Sequence, residues 1–444
     1  MKNAVLLLMH QGNSFTAELH QQLAARGIAL VAISSRPADM AVLERNLPLL
    51  DAWVAGDAPE LSQDDVQAGV AQLEQRGYRF LAAIATFEGY RLFMAGLNQA
   101  FGAADAPLAA LELALHKHRC REFLLMHGLS ATTCRLIPAG SNADAAGLDP
   151  QRKWFIKPVR GAASFGCFIL ENRDDLADVP AMQAQMLKDG KLAAIFMGRH
   201  DFFAEEYIEG PEFSYEIVAA AGRPRVLCVH EKARVERLPR TTLESMSISP
   251  PISLPVDTLR EGERFVSECL TRIGLTEGAF HVEMKYWEAR RRWEIIEINP
   301  RMGGSLINAS TKRVTGASIL DLWLQALLAR EPGDIATFHA QADRVAQLDR
   351  LDRFDDRRAV VFISKYGKKG AVVDSIAYDT GAHAPDLLEF HVQPGTRLED
   401  SDRAICVMDA LWQVDRAALA AAVESIDRES GENFRITYQA AQGI

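Results

Sequence analysis

The densest group of reactive side chains in the sequence stands at residues 294–304, in the stretch EIIEINPRMGG. It follows two runs rich in β-forming residues, FHVEMKYW and RRWEIIEIN, which flank a short charged turn. If these runs pair as a symmetric hairpin, Glu283 lies directly opposite Glu297, with Cβ atoms about 5 Å apart. Since side chains alternate between the two faces of a strand, Asn299 shares the face of Glu297.

Two facing carboxylates repel each other unless one is protonated or a cation lies between them. Two glutamates and an asparagine offer the oxygen ligands that Mg²⁺ prefers, and Mg²⁺ usually keeps its other positions for waters and phosphates. Arg301, Gly303 and Gly304 follow at once and add a guanidinium and exposed backbone N–H groups. The alternative is a solvated hairpin face with acidic residues by chance, and the arginine and glycines count against it.

A second group lies in FIKPVRGAASFGCFIL, where Lys157 ends an apolar run and small residues follow between Gly161 and Gly166. Small residues let backbone amides approach phosphate oxygens, and the lysine adds a positive charge. This is not a Walker loop, because GxxxxGK[ST] is absent. Alone, the segment is equally well explained as a hairpin with a flexible turn. Further on, FFAEEYIEGPEFSYEI is a strand with a polar break, whose exposed backbone groups could bind a base edge and whose Glu212 could bind ribose hydroxyls.

The order of predicted elements places these groups in an α/β protein of several domains. AVLLL, a helical segment and IALVAIS alternate as in a parallel sheet, so residues 1–108 are expected to form an α/β domain. Its loop residues His10, Gln11, Gly12 and Glu88 could face a ligand. A helix ending at Gly128 follows, then several strands. Residues 239–257, rich in Pro, Ser and Thr, are predicted to be a long loop that can act as a lid. The domains are expected at 1–108, 109–200, 201–330 and 331–444, the last an appended α+β module.

Composition, charge and hydropathy limit the classes of function that the protein can have. The formal net charge of −10 argues against a nucleic-acid-binding protein. The six cysteines are scattered without a CxxC pair, which excludes a disulfide framework and fits a reducing cytoplasm. No stretch approaches the roughly twenty apolar residues of a membrane helix, and the N-terminal apolar run is too short for a signal peptide. We therefore expect a cytoplasmic protein without membrane or nucleic-acid partners.

Together these segments resemble the ATP-grasp superfamily. The resemblance rests on their order: a helix lysine in LHKHRCREFLLMHGL, the strand lysine, the small-residue loop, the EEYIEGPE break, then EMK and EIIEINPRMGG. It extends from about Lys117 to Asp321, and the N-terminal domain resembles the usual pre-grasp domain. One departure is His116, which stands where the family often has aspartate.

The resemblance implies roles for these residues. Arg301 would neutralise the transferring phosphoryl group, Gly303 and Gly304 would donate N–H groups to substrate, and Mg²⁺, as two ions that Mn²⁺ can replace, would be bound by Glu283, Glu297 and Asn299. The ATP-binding residues implied are Lys117, Lys157, Gly161, Ala162, Ser164, Gly166, Glu205, Glu206, Tyr207, Ile208, Glu212 and Lys232.

Within the superfamily, EINPRMGGSLI and a separate C-terminal module are most similar to the L-amino acid ligases. The resemblance then implies an enzyme that joins two amino acids, or an amino acid and a related acid, through an acyl phosphate with release of ADP and phosphate. A homodimer is expected. Two alternatives stay open: an ATP-grasp carboxylase or purine-pathway ligase, and an ATP-binding protein without catalysis. The complete set Glu283, Glu297, Asn299 and Arg301 argues against the last, because binding alone does not require all four.

Overall fold

A computed structural model of the chain describes residues 1–12, 14–37, 39–141, 147–238, 240–352, 356–380 and 383–440. The N-terminal domain is a parallel sheet in the order β3-β2-β1-β4, as the alternation of strands and helices predicts. The central strand β1 carries a continuous apolar run that is buried, as parallel strands covered on both faces require. Its elements are β1 (Lys2–Met9), α1 (Thr16–Ala24), β2 (Ala29–Ser34), α2 (Met40–Glu44), β3 (Ala52–Ala55), α3 (Gln63–Gln75), β4 (Tyr78–Ile84) and α4 (Arg91–Phe101).

The single helix predicted before Gly128 is two helices, α5 (Leu108–Leu115) and α6 (Lys117–Met126), with a break at His116. The His116 side chain accepts a hydrogen bond from the backbone N–H of Arg119 at 3.4 Å and so takes the N-cap position. The break also lets the N–H of Lys117 donate to the carbonyl of Val159 at 2.9 Å. The start of α6 is thereby tied to the end of the strand that carries Lys157.

A small antiparallel sheet follows, in the order β5-β8-β6-β7. The strands are β5 (Cys134–Ile137), β6 (Trp154–Pro158), β7 (Phe168–Leu170) and β8 (Phe202–Glu206), covered by α7 (Val179–Met186) and α8 (Ala193–Phe196). This sheet runs past residue 200, where the sequence placed a boundary. Residues 142–146, which precede β6, lie outside the described residues.

The largest unit is an eight-stranded sheet with the order β13-β12-β9-β10-β11-β14-β17-β16. Its strands are β9 (Glu212–Ala220), β10 (Arg223–Leu238), β11 (Thr241–Ser249), β12 (Gly278–Trp287), β13 (Arg292–Asn299), β14 (Arg358–Tyr366), β16 (Leu387–Phe390) and β17 (Cys406–Asp415). The pair β15 (Val373–Tyr378) and β18 (Phe434–Tyr438) forms a separate sheet. The remaining helices are α9 (Val256–Ile273), α10 (Ile307–Thr315), α11 (Ile319–Leu328), α12 (Pro332–Val345) and α13 (Leu419–Asn433).

One expectation is corrected here. Residues 241–249 of the predicted loop at 239–257 form strand β11, which pairs with β10 and β14. Serine and threonine tolerate a strand, and Leu243, Met246 and Ile248 are buried; Pro239 lies outside the described residues. The appended segment beyond residue 330 adds β14, β16 and β17 to the sheet that contains β9 to β13. No described helix is long and apolar enough to cross a membrane.

Candidate functional site

A cavity of about 550 Å³ is bounded by strands of the small and the large sheet. Every site residue predicted from the sequence lines it except Gly166 and Gly303. A Cβ on Gly166 would lie 2.9 Å from the ring of Phe202, and one on Gly303 would lie 2.5 Å from Ile307 Cγ2. Both glycines therefore serve close packing in this structure. At Gly304 a Cβ would meet nothing within 4 Å, and this residue does face the cavity.

The hairpin of β12 and β13 places two carboxylates face to face. Glu283 pairs with Glu297 and His281 with Asn299, so the predicted register is confirmed at these positions. The register shifts immediately afterwards, since Met284 pairs with Ile295. The sequence could have indicated His281, because it stands two residues before Glu283 and so on the same face.

The two carboxylates have different surroundings. Glu283 lies 2.8 Å from Lys232 Nζ and 3.3 Å from His281 Nε2. Burial opposes its ionisation, but these two cations lower the pKa of Glu283 overall. Glu297 has Lys117 Nζ at 3.2 Å. Burial, reinforced by the negative charges of Glu283 and Glu88, nevertheless raises its pKa. A further cation beside Glu297 would therefore stabilise its carboxylate against the negative charges around it.

Asn299 gives a direct test of whether a cation fits. One of its amide atoms lies 2.8 Å from Glu88 Oε2 and 2.9 Å from Glu297 Oε1. If that atom is nitrogen, it donates a hydrogen bond to each carboxylate. If it is oxygen, three oxygens converge and repel one another unless a proton or a cation lies among them. The donor set Glu283, Glu297 and Asn299 therefore fits a hard divalent cation, and rotation of one amide adapts it.

The two predicted phosphate-side lysines lie at the base of the glycine loop, defined as residues 161–166. Lys117 Nζ donates to the carbonyl of Gly161 at 2.8 Å. Lys157 Nζ lies 2.6 Å from Glu205 Oε1 and donates to the carbonyl of Ile296 at 2.9 Å. Both side chains are buried and both line the cavity. They place two positive charges where an anionic ligand can reach them.

Arg121, which the sequence did not indicate, stabilises the carboxylate of buried Glu205. Its guanidinium lies 3.0 Å from Glu205 and 3.2 Å from Glu294. Burial would raise the pKa of Glu205, but Lys157 and Arg121 lower it. The Glu205 side chain is therefore occupied by protein partners, which is consistent with the expectation that residues 205–208 bind a base mainly through their backbone.

The glycine loop is held closed by the C-terminal segment. The N–H of Ala404 donates to the carbonyl of Ala163 at 2.8 Å, and the N–H of Gly166 donates to the carbonyl of Asp402 at 3.2 Å. From β11, Thr241 Oγ1 donates to the carbonyl of Ser164 at 3.0 Å. Ala163 and Ser164 have φ of 51° and 52°, a left-handed conformation that small residues adopt at modest cost. The loop therefore covers the cavity in this structure.

At the opposite side of the loop, Lys232 lies among three carboxylates. Its Nζ is 2.7 Å from Glu212 and 2.8 Å from Glu283, and it also contacts Glu244. Burial raises the pKa of Glu244 to about 7. Lys285 adds a second cation 3.4 Å from Glu212. Glu244 was missed because it stands in no recognisable spacing with the other site residues, whereas Lys285, two residues after Glu283 on the same strand, could have been indicated as His281 could.

Gly210 fixes the break between β8 and β9. Its φ is +136°, and a Cβ would lie 2.0 Å from the carbonyl oxygen of Tyr286. Only glycine fits this close approach. The break is thereby packed against β12, the strand that carries Glu283.

Arg301 follows the hairpin and reaches the N-terminal domain. Its guanidinium donates to the carbonyl of Met302 at 2.9 Å and lies 3.5 Å from Glu88 Oε2. Glu88 is one of the four N-terminal loop residues that the sequence placed near a ligand, and it is buried. Its carboxylate contacts two residues of this site, Arg301 and Asn299. His10 instead hydrogen-bonds with Tyr90 and with the carbonyl of Lys191. The Gln11 side chain donates to the carbonyls of Pro59 and Gly190.

Comparison with known proteins identifies the fold around this cavity. The family model described as an ATP-grasp domain matches residues 152–309. These residues are an ATP-grasp domain. The match begins after Lys117 and ends before Asp321, so it lies within the limits of the predicted resemblance. It includes both strands of the carboxylate hairpin and the glycine loop.

Whole-chain comparison gives the same fold. An L-amino acid ligase from Bacillus licheniformis superimposes with a TM-score of 0.76 at 18% identity, covering 99% of both chains. A biotin carboxylase from Campylobacter jejuni gives a TM-score of 0.63 at 14% identity, covering 98% of this chain and 92% of that one. The expected N-terminal parallel sheet and ATP-grasp fold are thereby confirmed.

Sequence relatives point in the same direction over part of their length. Carnosine synthase 1 of Gallus gallus is 26% identical over 284 residues, which is 61% of this chain and 30% of the relative. The human protein of the same name covers 61% of this chain and 34% of its own length at 24% identity. The chain thus spans about a third of the curated relatives that it matches.

Proposed function

We propose that the protein is an ATP-dependent carboxylate–amine ligase that joins two amino acids, or an amino acid and a related acid, through an acyl phosphate. The observation that carries this proposal is the composition of one cavity. Lys117, Lys157, the pair Glu283 and Glu297, and Arg301 all line it. ADP and phosphate are the expected coproducts.

The reaction needs these groups because a carboxylate is a poor acyl donor. Phosphorylation by ATP makes an acyl phosphate, which an amine attacks to give an amide. Lys117 and Lys157 would neutralise the ATP phosphates, and Glu283, Glu297 and Asn299 would hold Mg²⁺, for which two sites are expected. Bound Mg²⁺ would act as a Lewis acid on the phosphoryl oxygens. The two lysines would add fixed positive charge where phosphoryl transfer develops negative charge.

Arg301 and Gly304 would act beyond the metal ligands. The guanidinium would neutralise the transferring phosphoryl group, and the N–H of Gly304 would bind a substrate carboxylate or the tetrahedral oxyanion. Gly303, assigned the same N–H role from the sequence, is packed against Ile307 and is a weaker candidate. The closed glycine loop would exclude water from the acyl phosphate, which otherwise hydrolyses.

The names of the relatives support amino acids as substrates. The chain shares sequence with two carnosine synthases and its fold with an L-amino acid ligase. A carboxylase is the second candidate, because biotin carboxylases share the fold across nearly the whole chain. A phosphoribosylglycinamide synthetase from Anaerococcus prevotii likewise keeps a purine-pathway ligase open. The homodimer, the cytoplasmic location and the use of Mn²⁺ remain predictions.

The test is a substrate screen with the purified protein. ADP release would be followed with Mg-ATP and single amino acids, pairs of amino acids, or bicarbonate, and products would be identified by mass. Amide products in amounts equal to the ADP released would support the proposal. ADP release driven by bicarbonate and not by amino acids would favour the carboxylase. Release of AMP and pyrophosphate would contradict both.

A further inference from the structure

The part of the cavity lined by β14 and β17, which we call its far end, has a different chemistry from the proposed nucleotide end, which Lys117, Lys157 and Glu283 line. Asp409, Ser364 and Ser305 line it there. Ser364 stands directly opposite Asp409 in the pairing of β14 with β17, and Ser305 lies in the segment after Gly304. None of these residues belongs to the predicted site.

Asp409 differs from the other carboxylates that line the cavity. The described lining glutamates are all within 4 Å of a lysine or arginine, namely Glu205, Glu206, Glu212, Glu244, Glu283 and Glu297. The ion-pair partner of Asp409 within the described residues is instead His391, at 2.8 Å. Asp409 is almost fully buried and lines the cavity, whereas His391 is not among the lining residues, so the negative end of this pair faces the cavity.

The hydrogen bonds of Asp409 determine what a ligand meets. Ser364 Oγ donates to Oδ1 at 2.6 Å, Ser305 Oγ donates to Oδ2, and Cys406 Sγ donates to Oδ1 at 3.3 Å. Both serine protons are thus used by the carboxylate, so the hydroxyl lone pairs face the cavity as acceptors. Burial would raise the pKa of Asp409, but His391 and the two serines lower it. The two serines and His391 therefore stabilise the carboxylate form of Asp409.

We propose that Ser305 and Ser364, polarised by Asp409, bind the amino group of the accepting substrate. The subsite rests on the proposed ligase function and names its second binding position. An amino acid carries its amine as an ammonium near neutral pH, and two hydroxyl acceptors backed by a carboxylate suit three N–H donors. Ser305 is four residues after Arg301, so their backbones lie within about 14 Å, the reach of four extended residues.

The same arrangement favours the chemical step. The ammonium first gives one proton to water, and the amine lone pair then attacks the acyl carbon. The nitrogen becomes positive again as the C–N bond forms, and the negative field of Asp409 stabilises that charge. The C–O bond to phosphate then breaks, phosphate leaves with the electron pair, and the second proton passes to it. Asp409 acts through the serines and is a positioning residue.

The test compares two acceptors in one enzyme preparation. A mixture of standard L-amino acids and Mg-ATP would be supplied with and without hydroxylamine, which is small and uncharged near neutral pH. Hydroxamate then reports donor activation, and dipeptide reports use of the amino acid acceptor. In Asp409→Asn the ratio of dipeptide to hydroxamate should fall about ten- to a hundredfold, as expected when a hydrogen bond to a charged group is lost.

Two further variants keep the test decisive. Ser364→Ala should lower the same ratio about tenfold, and it serves if Asp409→Asn fails to fold. Asp379→Asn removes a carboxylate from an exposed pair with Arg435 and should keep the wild-type ratio. Equal losses of dipeptide and hydroxamate in both cavity variants would overturn the subsite alone. Absence of any amino-acid-dependent ADP from wild type would overturn the ligase function and the subsite together.

Discussion

At the proposed nucleotide end of the cavity, the glutamates among the described residues are paired with lysine or arginine, and Lys232 alone contacts three of them. At the far end, Asp409 is surrounded by two serines, a cysteine and a histidine. In the first arrangement, the lysines and arginines can exchange their glutamate partners for a polyanion when the ion pairs rearrange. The second presents negative charge and hydroxyl acceptors. The difference matches the two substrates of a ligase, since ATP is anionic and an accepting amine is cationic.

The largest expected effect comes from breaking the nucleotide end. Glu297→Gln removes a charged ligand of the proposed metal and should lower ADP release on the order of a thousandfold. Glutamine keeps the shape of the side chain, so the protein should remain folded. Glu288→Gln, at the exposed turn of the same hairpin, is the matched control. Wild-type turnover in Glu297→Gln, measured by steady-state ADP release, would contradict the metal assignment.

Arg301 follows the proposed metal ligands in the chain and precedes Ser305, and its removal should affect both steps. Arg301→Ala should lower acyl phosphate formation and amide formation on the order of a hundredfold or more, because its charge acts mainly in the transition state. ATP affinity, measured by calorimetry, should change little. Arg272→Ala, in the exposed last turn of α9, is the control. Loss of ATP binding in Arg301→Ala would instead assign the residue to ground-state binding.

The glycine loop and β11 should respond differently to nucleotide. Saturating Mg-ATP should slow amide exchange in residues 161–166 about ten- to a hundredfold, as ligand binding stabilises the closed form. Strand β11 pairs on both sides and should be protected with and without ATP. Hydrogen exchange followed by mass spectrometry resolves both segments. Unchanged exchange in the loop would show that it is not a lid.

The smallest effect is expected at the far end, from the pair of His391 with Asp409. The hydrogen bond to Asp409 raises the pKa of His391, and Glu389 adds to this. A raised pKa favours the folded state below the ordinary histidine value of 6.5 and loses this contribution as pH rises through the folded value.

The unfolding temperature should therefore report this pair. His391→Gln should lower it by about 1–2 °C near pH 6, because the pair is partly exposed. The difference from wild type should shrink as the pH is raised. His127→Gln, at an exposed position, is the control. A difference that grows with pH would contradict the sign of the argument.

The two ends also differ in how far sequence predicts them. The pairing of Glu283 with Glu297 follows from the two-residue period of a hairpin joined by a short turn, and the structure has that register. Ser364 and Asp409 meet only because β14 and β17 pair across a long connection, and no local spacing encodes that register. Local patterns therefore predict the first group and cannot predict the second.

The segments for which the sequence-based prediction was wrong show the same dependence on contacts between distant parts of the chain. The Ser, Thr and Pro content of residues 239–257 indicated a loop, yet strand neighbours on both sides make residues 241–249 the strand β11. Gly303 and Gly304 are equivalent in sequence, and only the position of Ile307 at the start of α10 separates the packed glycine from the one at the cavity. Tertiary contacts decided both outcomes.

The most direct test of acyl phosphate chemistry is to follow one oxygen atom. The donor amino acid would be labelled with oxygen-18 in its carboxylate and incubated with ATP and an accepting amino acid, and the released phosphate would be analysed by mass. If the carboxylate attacks the terminal phosphorus of ATP, one labelled oxygen stays with that phosphate when the amine displaces it. One oxygen-18 per phosphate, in step with amide formation, is the predicted result. Amide formed with unlabelled phosphate would contradict the acyl phosphate and with it the proposed function.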